Sequence, residues 1–563
     1  MLVRQLIYPL RTRLLYPKRI SSQQIRKVAA SAIRYSEDDL FRYTSGRWIY
    51  NEHLRLRERY HKFNIPALKN VISDSLNRPA SDITSFTKFS EGGFNRLFQA
   101  TFNDGKSVIA RLPYPSTVPK HYAVASEVAT MDYLRLHGIP TPKIYAWCST
   151  DRNPVGAEYI IMENVNGMPL GEIWYQMTAE EICQILKQVV EMETKFKSLQ
   201  FPACGSLYYQ KDLPSEKRVP LPDSNGEFCI GPSAHFTWWQ GERTQLDVDR
   251  GPWTSPNEIY TAVGKRELTW AKQHAKPRLH YERLYREIHN FAKMHPDTHI
   301  QALTDYLRLT PYLGFKPGSQ LNRPVLRHPD LQPNNILISE EREVVGLIDW
   351  QHSSILPLSM VAGIPKHIQN YGDPESDALV QPALDLPSDI DSMPVDEQGP
   401  IRETFRKRLV HFLYAEFTRM INGGHLYAIF NDAVILHQKL LESAGTPWEG
   451  DWISLQADII RTLQQWSRLP GSSGSPPPIT YSDEVIRKVL GLDAEQKEID
   501  SAMDYMRNGI GIDIIGWVQN EDYEAAKEKV GQIKEKTIEL AETEQDAITA
   551  RDHFPFDDFD EDS

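Results

Sequence analysis

Cysteine is scarce in this chain, and the few that are present lie far apart. The four are Cys148, Cys183, Cys204 and Cys229. No Cys-x-x-Cys pair occurs, which excludes a zinc ribbon or a disulfide scaffold and favours free, buried thiols. Long apolar runs are also missing, since no stretch approaches the roughly 18 uninterrupted apolar residues of a membrane-spanning helix. We therefore expect no transmembrane segment.

Acidic residues are absent from the first 36 positions, which contain eight Lys or Arg together with Ser. This composition is typical of a mitochondrial transit peptide, and the sequence around Tyr35 resembles a matrix-processing site with cleavage after that residue. We therefore expect a mitochondrial protein, located in the matrix; the alternative is a basic tail on a cytosolic protein. The remainder carries 55 basic and 75 acidic residues, a formal charge of −20. Such a body disfavours nonspecific nucleic-acid binding.

A His, two Asp and an Asn stand at the spacing used by kinase-type phosphoryl-transfer enzymes. His328 and Asp330 are separated by one residue, and Asn335 is the fifth residue after Asp330, which matches the pattern H-x-D-x-x-x-x-N. Asp349 is the fourteenth residue after Asn335, and two apolar runs around a charged turn at 340–343 lie between them. This pattern predicts a hairpin with one acidic residue at its far end.

These residue types suit the transfer of a γ-phosphoryl group. That reaction needs positioning, charge neutralisation by Mg²⁺ and an acceptor for the proton of the attacking hydroxyl. Asp330 is the candidate acceptor. Asn335 and Asp349 are the candidate oxygen ligands of Mg²⁺, a hard cation that takes few protein ligands. His328 is either a general base, because an unperturbed imidazole has a pKa near neutrality, or a structural residue of the loop.

A β-rich segment with a glycine turn precedes these motifs. Residues 87–102 are predicted to form two strands joined at Gly92 and Gly93, and a hairpin turn at 103–106 then leads to a third strand at 107–112. Two glycines allow backbone N–H groups to approach nucleotide phosphates, because no Cβ stands in the way. The alternative is a turn that binds nothing.

The motifs resemble the aminoglycoside phosphotransferase/choline kinase family over residues 80–490, with Asp349 in an Ile-Asp-Trp element of the small-molecule branch. Residues 350–357 and the N-terminal arm resemble the fungal mitochondrial group named for altered inheritance of mitochondria protein 9. The resemblance implies an α+β, bilobal protein kinase-like fold, with a small antiparallel β N-lobe and a larger, mainly helical C-lobe. It also favours the structural role for His328.

The same resemblance implies ATP and Mg²⁺ as cofactors and assigns the nucleotide site. Arg111 would hold phosphates where relatives carry Lys; Arg keeps its charge and binds phosphate oxygens in a bidentate way. Glu127, on a helix by periodicity, would pair with it. Backbone groups at the inter-lobe hinge would bind the adenine. The implied cofactor-binding residues are Gly92, Gly93, Asn95, Arg111, Glu127, Glu163 and Val165.

The chain, 563 residues long, is expected to fold as several consecutive parts. They are a transit peptide (1–36), a helical N-terminal extension (37–80), a nucleotide-binding N-lobe (81–167), a catalytic helical C-lobe (168–490) with an insert (233–253), a C-terminal helical extension (491–553) and an acidic tail (554–563). In the insert, Trp238 and Trp239 either wall a substrate site or pack against the lobe. Apolar residues spaced three and four apart at 523–540 predict an amphipathic helix, packed on its own domain or in a partner coiled coil. The acidic tail is either disordered or docked intramolecularly near the site.

Three functions compete on this basis. The first is an ATP- and Mg²⁺-dependent small-molecule kinase that phosphorylates a hydroxyl of an unidentified acceptor. The second is a non-catalytic kinase-fold protein in mitochondrial maintenance or scaffolding, suggested by the altered cation Arg111 and the long terminal extensions. The third, a protein kinase, is disfavoured because no Ala-Pro-Glu segment follows Asp349. Neither the acceptor nor the oligomeric state can be read from the sequence.

Overall fold

The computed structural model describes residues 37–222, 224–472 and 474–562. Within these ranges the chain forms a small N-lobe built on an antiparallel sheet and a larger, mainly helical C-lobe, flanked by segments from both ends of the chain. The predicted α+β, bilobal kinase-like fold is confirmed. The predicted transit peptide and its cleavage site lie outside the described residues.

Residues 37–80, here called the N-terminal extension, cover one face of the N-lobe. They contain β1 (Arg47–Trp48), α1 (Glu52–Arg59) and α2 (Ile65–Ser75). α2 begins where the side chain of Asn64 accepts the N–H of Ala67 at 3.0 Å, which satisfies a donor that the helix itself leaves unpaired. On its apolar face, Leu68 and Ile72 are fully buried against the N-lobe sheet.

Five antiparallel strands form the N-lobe sheet. They are β2 (Ile83–Glu91), β3 (Asn95–Phe102), β4 (Ser107–Pro113), β5 (Ile144–Cys148) and β6 (Tyr159–Glu163), in the spatial order β2-β3-β4-β6-β5. The helix α3 (Tyr122–Leu136) links β4 to β5. Side chains alternate across the sheet, so Phe98 and Ala110 pack with α2, whereas Ile109 and Ile160 pack with α3 and the C-lobe. The predicted order of strand, glycine turn, strand, hairpin and strand is confirmed.

The C-lobe contains short strands between long helices. Its strands are β7 (Met168–Pro169), β8 (Ser206–Tyr209), β9 (Val219–Pro220), β10 (Phe228–Gly231), β11 (Pro324–Leu326), β12 (Ile336–Ile338), β13 (Val344–Leu347) and β14 (Ile355–Pro357). Its helices are α4 (Ala179–Ser198), α5 (Pro256–His274), α6 (Asp297–Leu309), α7 (Leu358–Val361), α8 (Pro374–Asp377), α9 (Val395–Ile421), α10 (Gly423–Ile429), α11 (Asp432–Gly445) and α12 (Ile453–Gln464). The predicted hairpin exists as β12 and β13, with Ile336 opposite Leu347. Because β11 also pairs with β14, the segments before and after both motifs are fixed to each other.

Tryptophans pack the insert (233–253) onto the rest of the protein. The ring centroid of Trp239 lies 5.0 Å from that of Tyr122 in α3, and the guanidinium carbon of Arg266 in α5 lies 4.6 Å from the centre of the Trp238 ring. Trp238 and Trp239 are buried, with 6% and 9% of their surface exposed. The structure therefore favours the packing role for this pair over a wall of a substrate site.

Helices at the end of the chain pack onto the C-lobe and the N-terminal extension. They are α13 (Asp483–Ile510), α14 (Tyr523–Glu539) and α15 (Glu544–Asp552), and the strand β15 (Trp517–Val518) precedes α14. β15 pairs antiparallel with β1, which joins the two ends of the chain. α14 is the predicted amphipathic helix, and its buried Tyr523 and Val530 share a core with Met503 of α13. α14 thus packs on its own chain. The boundary expected at residue 490 falls inside α13.

The acidic tail is docked within the chain. Phe554 is buried, and the guanidinium of Arg283 donates to the carbonyl oxygens of Phe554 and Asp557. Asn51 of the N-terminal extension donates its N–H to the Asp558 carboxylate at 2.5 Å. The tail therefore ties the N-terminal extension to the C-lobe, and these contacts do not involve the catalytic motifs.

Two predictions made from the composition, on membrane spans and on cysteines, can be compared with the structure. Across the described ranges, no helix combines the length and apolar character needed to cross a bilayer. The four cysteines are free. Cys204 and Cys229 are buried as expected, but Cys148 and Cys183 are only half-buried, so the prediction of burial is wrong for these two.

A buried histidine gives the fold a testable pH dependence. His437 is fully buried, burial lowers its pKa to about 4, and neither ring nitrogen has a hydrogen-bond partner in the described part of the chain. Below pH ~6.5 the imidazole of His437 binds a proton in the unfolded state but not in the folded state. The neutral, buried His437 therefore leaves the protein most stable above pH ~6.5, and stability is lost as the pH falls below that value.

Replacing His437 by Leu should therefore flatten the pH dependence of stability. Between pH 7.5 and 5.5, the variant should lose about 1 kcal/mol less unfolding free energy than the wild type. At pH 7.5 it should be at least as stable, because a buried unpaired polar group is removed. Urea unfolding at the two pH values measures both effects, with exposed His367→Leu as the control. Parallel losses in wild type and His437→Leu would contradict this account.

Candidate active site

The loop between β11 and β12 holds the predicted catalytic residues. His328 is buried and bridges two backbone groups: its Nδ1 accepts the Asp330 N–H at 3.1 Å, and its Nε2 lies 2.9 Å from the Ile348 carbonyl oxygen. Nε2 therefore carries the proton and donates. Burial lowers the pKa of His328 and keeps the ring neutral. Both nitrogens are occupied in holding the loop, which supports the structural role and not the general-base role.

Asp330 presents its carboxylate to solvent at the surface of this loop. Asn335 donates from Nδ2 to the Asp330 backbone oxygen at 2.8 Å and to its Oδ2 at 3.2 Å. Gln332 donates to the same Oδ2 at 2.5 Å. The carboxylate is thus oriented by two amides and remains open for a ligand. Because Asn335 turns its nitrogen to Asp330, its amide oxygen is the atom left for a cation.

Asp349 is placed beside Asn335 by the strand pairing. The N–H of Ile348 donates to the Asn335 carbonyl oxygen at 3.0 Å, one residue before Asp349. Asp349 adopts a left-handed backbone conformation, with φ of 66°, so the chain turns sharply there. Its side chain is 44% exposed. The structure therefore places Asp349 next to Asn335, whose side chain also contacts Asp330.

Arg111 of β4 connects the lobes at this position. Its guanidinium donates to Glu127 of α3 at 2.5 Å, to Asp349 Oδ1 at 2.7 Å and to Gln351 Oε1 at 2.9 Å. Burial raises the pKa of Glu127 to about 7 against the attraction of Arg111. For Asp349, partial desolvation acts to raise the pKa, but the charge of Arg111 outweighs it and holds the pKa below its usual value. The predicted pairing of Arg111 with Glu127 is present.

The glycine turn between β2 and β3 leaves open space above its backbone. A Cβ on Gly93 would meet no atom within 4 Å, and a Cβ on Gly92 would meet only the Asn95 carbonyl oxygen at 3.8 Å. Neither glycine has a positive φ. The fold itself thus needs glycine at neither position, and the free space suits the close approach of a ligand. Asn95 lies beneath the turn, buried, with its amide 2.6 Å from Gln351 Oε1.

The hinge residues lie where β6 leaves the N-lobe. The N–H of Glu163 donates to the Lys143 carbonyl oxygen at 2.8 Å, and its carboxylate accepts the Lys143 N–H at 3.0 Å. Val165 packs beside Gly346 of β13, where an added Cβ would lie 3.3 Å from Val165 Cγ1. The hinge is therefore held against both lobes, and its role toward an adenine stays a prediction.

Sequence reasoning missed several residues that shape the site. Gln351 joins Arg111 to Asn95, and Gln332 orients Asp330. Arg327, beside the catalytic loop, binds Glu193 of α4 at 2.6 Å. Nothing in the local pattern distinguishes these polar residues from exposed ones, since their partners come from distant parts of the chain.

The donor set can be tested against a magnesium ion. Among the described residues, no group of three or more His, Cys, Asp or Glu could hold a metal ion. An amide oxygen and one partly exposed carboxylate fit Mg²⁺ better than a transition metal, because Mg²⁺ prefers oxygen ligands and keeps several waters. Asn335 and Asp349 therefore fit the predicted ion. Arg111 occupies only Oδ1 of Asp349.

Sequence comparison relates this chain to known proteins. Residues 85–360 match the model of the phosphotransferase enzyme family. The chain is 34% identical over 509 residues to a subtelomeric hrmA-associated cluster protein of Aspergillus fumigatus, across 84% of this chain and 97% of that protein. It is 26% identical over 535 residues to the mitochondrial altered inheritance of mitochondria protein 9 of Saccharomyces cerevisiae, across 80% and 82%.

Among solved structures, a Thermobifida fusca protein assigned as a fructosamine-3-kinase aligns with 71% of this chain and 100% of its own, at 14% identity and a TM-score of 0.33. The sequence relatives cover most of the described lobes. The predicted resemblance is confirmed, and the chain belongs to the phosphotransferase enzyme family.

Proposed function

We propose that this protein is an ATP- and Mg²⁺-dependent phosphotransferase that moves the γ-phosphate to a hydroxyl of a small molecule. The observation that carries the proposal is the convergence of three groups from two motifs. Asp330 is open and oriented by amides, and the Ile348–Asn335 backbone bond places Asp349 beside Asn335. Membership of the phosphotransferase family supports the reaction class.

Each group has a role in this proposal. Asn335 and Asp349 would hold Mg²⁺, which neutralises charge on the phosphates when bound. Asp330 would accept the proton of the attacking hydroxyl through its exposed carboxylate. Arg111 would bind phosphate oxygens while Glu127 holds its guanidinium in place. The backbone above Gly92 and Gly93 would approach the phosphates, and the hinge at Glu163 and Val165 would bind the base.

The cellular site of this activity is part of the proposal. Relatives named as altered inheritance of mitochondria protein 9 are described as mitochondrial. The basic, acid-free residues 1–36 fit import into the matrix. We therefore place the protein in mitochondria. A fluorescent fusion of the full chain should colocalise with a matrix marker, and the fusion lacking 1–36 should not.

One observation favours the non-catalytic alternative. Arg111 binds Asp349 directly at 2.7 Å, so a cation at Asp349 has to share this carboxylate or displace the guanidinium. In a non-catalytic scaffold, the Arg111 guanidinium would fill the metal position permanently, and its contact with Asp349 is what such a protein would show. The two hypotheses differ in whether nucleotide binding requires Mg²⁺ and Asp349.

Thermal-shift titration of the full chain with ATP tests the proposal. At ATP about 100-fold above the dissociation constant, binding should stabilise the protein by about 2.7 kcal/mol, seen as a rise of a few degrees in Tm. The rise should require Mg²⁺ and be lost in Asp349→Asn, while the exposed control Asp385→Asn keeps it. No shift in the wild type at millimolar ATP and Mg²⁺ would favour the scaffold.

A further inference from the structure

We propose that Glu91 is a positioning residue for the glycine turn, held by the N-terminal extension, so that this extension sets the affinity for nucleotide phosphates. The inference rests on the proposed function of the site. Glu91 is the last residue of β2 and directly precedes Gly92. It makes no contact with the reacting groups and would act through the backbone that follows it.

Four residues donate five hydrogen bonds to the Glu91 carboxylate, whose side chain is 1% exposed; one of the five comes from the Thr44 hydroxyl, at 3.2 Å from Oε2. Thr44 donates its N–H to Oε2 at 2.8 Å, and Ser45 donates its hydroxyl to the same oxygen at 2.9 Å. Arg96 donates to Oε1 at 2.7 Å, and Lys88 at 3.2 Å. Two of these four residues belong to the N-terminal extension and two to the strands that flank the turn.

Electrostatics support a permanently charged anchor. Burial acts to raise the pKa of Glu91, but Arg96 and Lys88 outweigh it and hold the pKa below its usual value. The carboxylate is therefore ionised at neutral pH. Hydrogen bonds to a charged acceptor are shorter and stronger than neutral ones, which makes this contact a firm attachment.

Arg96 fixes the other side of the turn. It pairs with Glu91 across β2 and β3, one residue after Asn95. Its Nη1 donates to the Leu40 carbonyl oxygen at 3.0 Å, and its Nη2 to the Arg59 carbonyl oxygen at 3.2 Å. Both ends of the glycine turn are thus bound to the N-terminal extension through one buried ion pair.

The contacts of Glu91 and Arg96 restrict the backbone of the glycine turn, which would otherwise be flexible. Two adjacent glycines have great backbone freedom, which a bound ligand has to freeze. Anchors at both ends remove part of that freedom before binding, and pre-organisation raises affinity. The effect should fall on groups that contact the turn, namely the phosphates, and spare a base bound at the hinge.

The test compares ligands that differ in their phosphates, using the full chain. In Glu91→Gln, which keeps the shape and removes the charge, the Kd for ATP with Mg²⁺ should rise about tenfold, while the Kd for adenosine should stay within about twofold. Glu58→Gln, in the same extension with its side chain 39% exposed, should change neither. Isothermal titration calorimetry measures each Kd.

A second variant separates positioning from folding. Ser45→Ala removes one donor and leaves the Arg96 pair intact, so ATP affinity should weaken by about twofold to threefold with little loss of Tm. Equal weakening of ATP and adenosine, or unchanged ATP affinity in both variants, would overturn the inference. If the wild type itself binds no ATP, the proposed function fails together with this inference. If the wild type binds ATP and both variants bind it equally well, only this inference fails.

Discussion

Replacing Asp330 by Asn should lower phosphoryl transfer by about 10²- to 10⁴-fold, the range that a positioned acid or base contributes. Asn has the same shape but cannot take the proton of an attacking hydroxyl. The Asp330 side chain is exposed, and its partners are the amides of Gln332 and Asn335, so the fold should be little affected. Nucleotide affinity should stay within about twofold, because this residue contacts neither the turn nor Arg111.

Hydrolysis of ATP provides the measurement while the acceptor is unidentified, since water can replace the acceptor hydroxyl. Rates of Asp330→Asn and wild type would be compared at saturating ATP and Mg²⁺, with Asp385→Asn as an exposed matched control. A variant that binds ATP normally and hydrolyses it at the wild-type rate would remove Asp330 from the mechanism. A variant that loses binding would show instead that the loop needs this carboxylate for its structure.

The sequence was sufficient to predict residues whose role follows from spacing along the chain. Asp330 and Asn335 lie in one short loop, and Asp349 follows at the end of a hairpin. The two strands of that hairpin are predictable from their apolar runs and from the charged turn between them. The strand carrying Arg111 was predictable for the same reason. In each case a short segment determines where the side chain lies.

Contacts between distant segments were beyond this reasoning. Glu91 accepts a hydrogen bond from Thr44, which is 47 residues away in the sequence, and Arg111 donates one to Gln351, which is 240 residues away. Such pairs exist only once the lobes have packed, and each member alone looks like an ordinary polar surface residue. The same limit applies to Trp239. The sequence around it is compatible both with lining a substrate site and with packing inside the protein, and only the observed stacking on Tyr122 decides between the two.

The Arg111–Glu127 pair should show the largest effect on stability. Arg111→Met keeps much of the side-chain stem and removes the charge, which leaves Glu127 buried at 2% exposure without its partner. Breaking a buried ion pair in this way costs about 3–5 kcal/mol. Arg111→Lys keeps the charge but loses the forked geometry that reaches Glu127 and Asp349 together, so its loss should be smaller.

The size of that loss should depend on pH, and this identifies its cause. Burial already raises the pKa of Glu127 to about 7, and removing Arg111 raises it further. The folded state then binds a proton that the unfolded state releases above pH ~4.5, so stability falls as the pH rises toward the folded pKa.

Urea unfolding of Arg111→Met should therefore show a larger deficit at pH 8 than at pH 6. The double variant Arg111→Met/Glu127→Gln should recover part of the deficit at pH 8, because no buried charge remains. A deficit that is equal at both pH values and unchanged in the double variant would assign the loss to packing instead. The bond from Arg111 to Asp349 would then be the contact to test next.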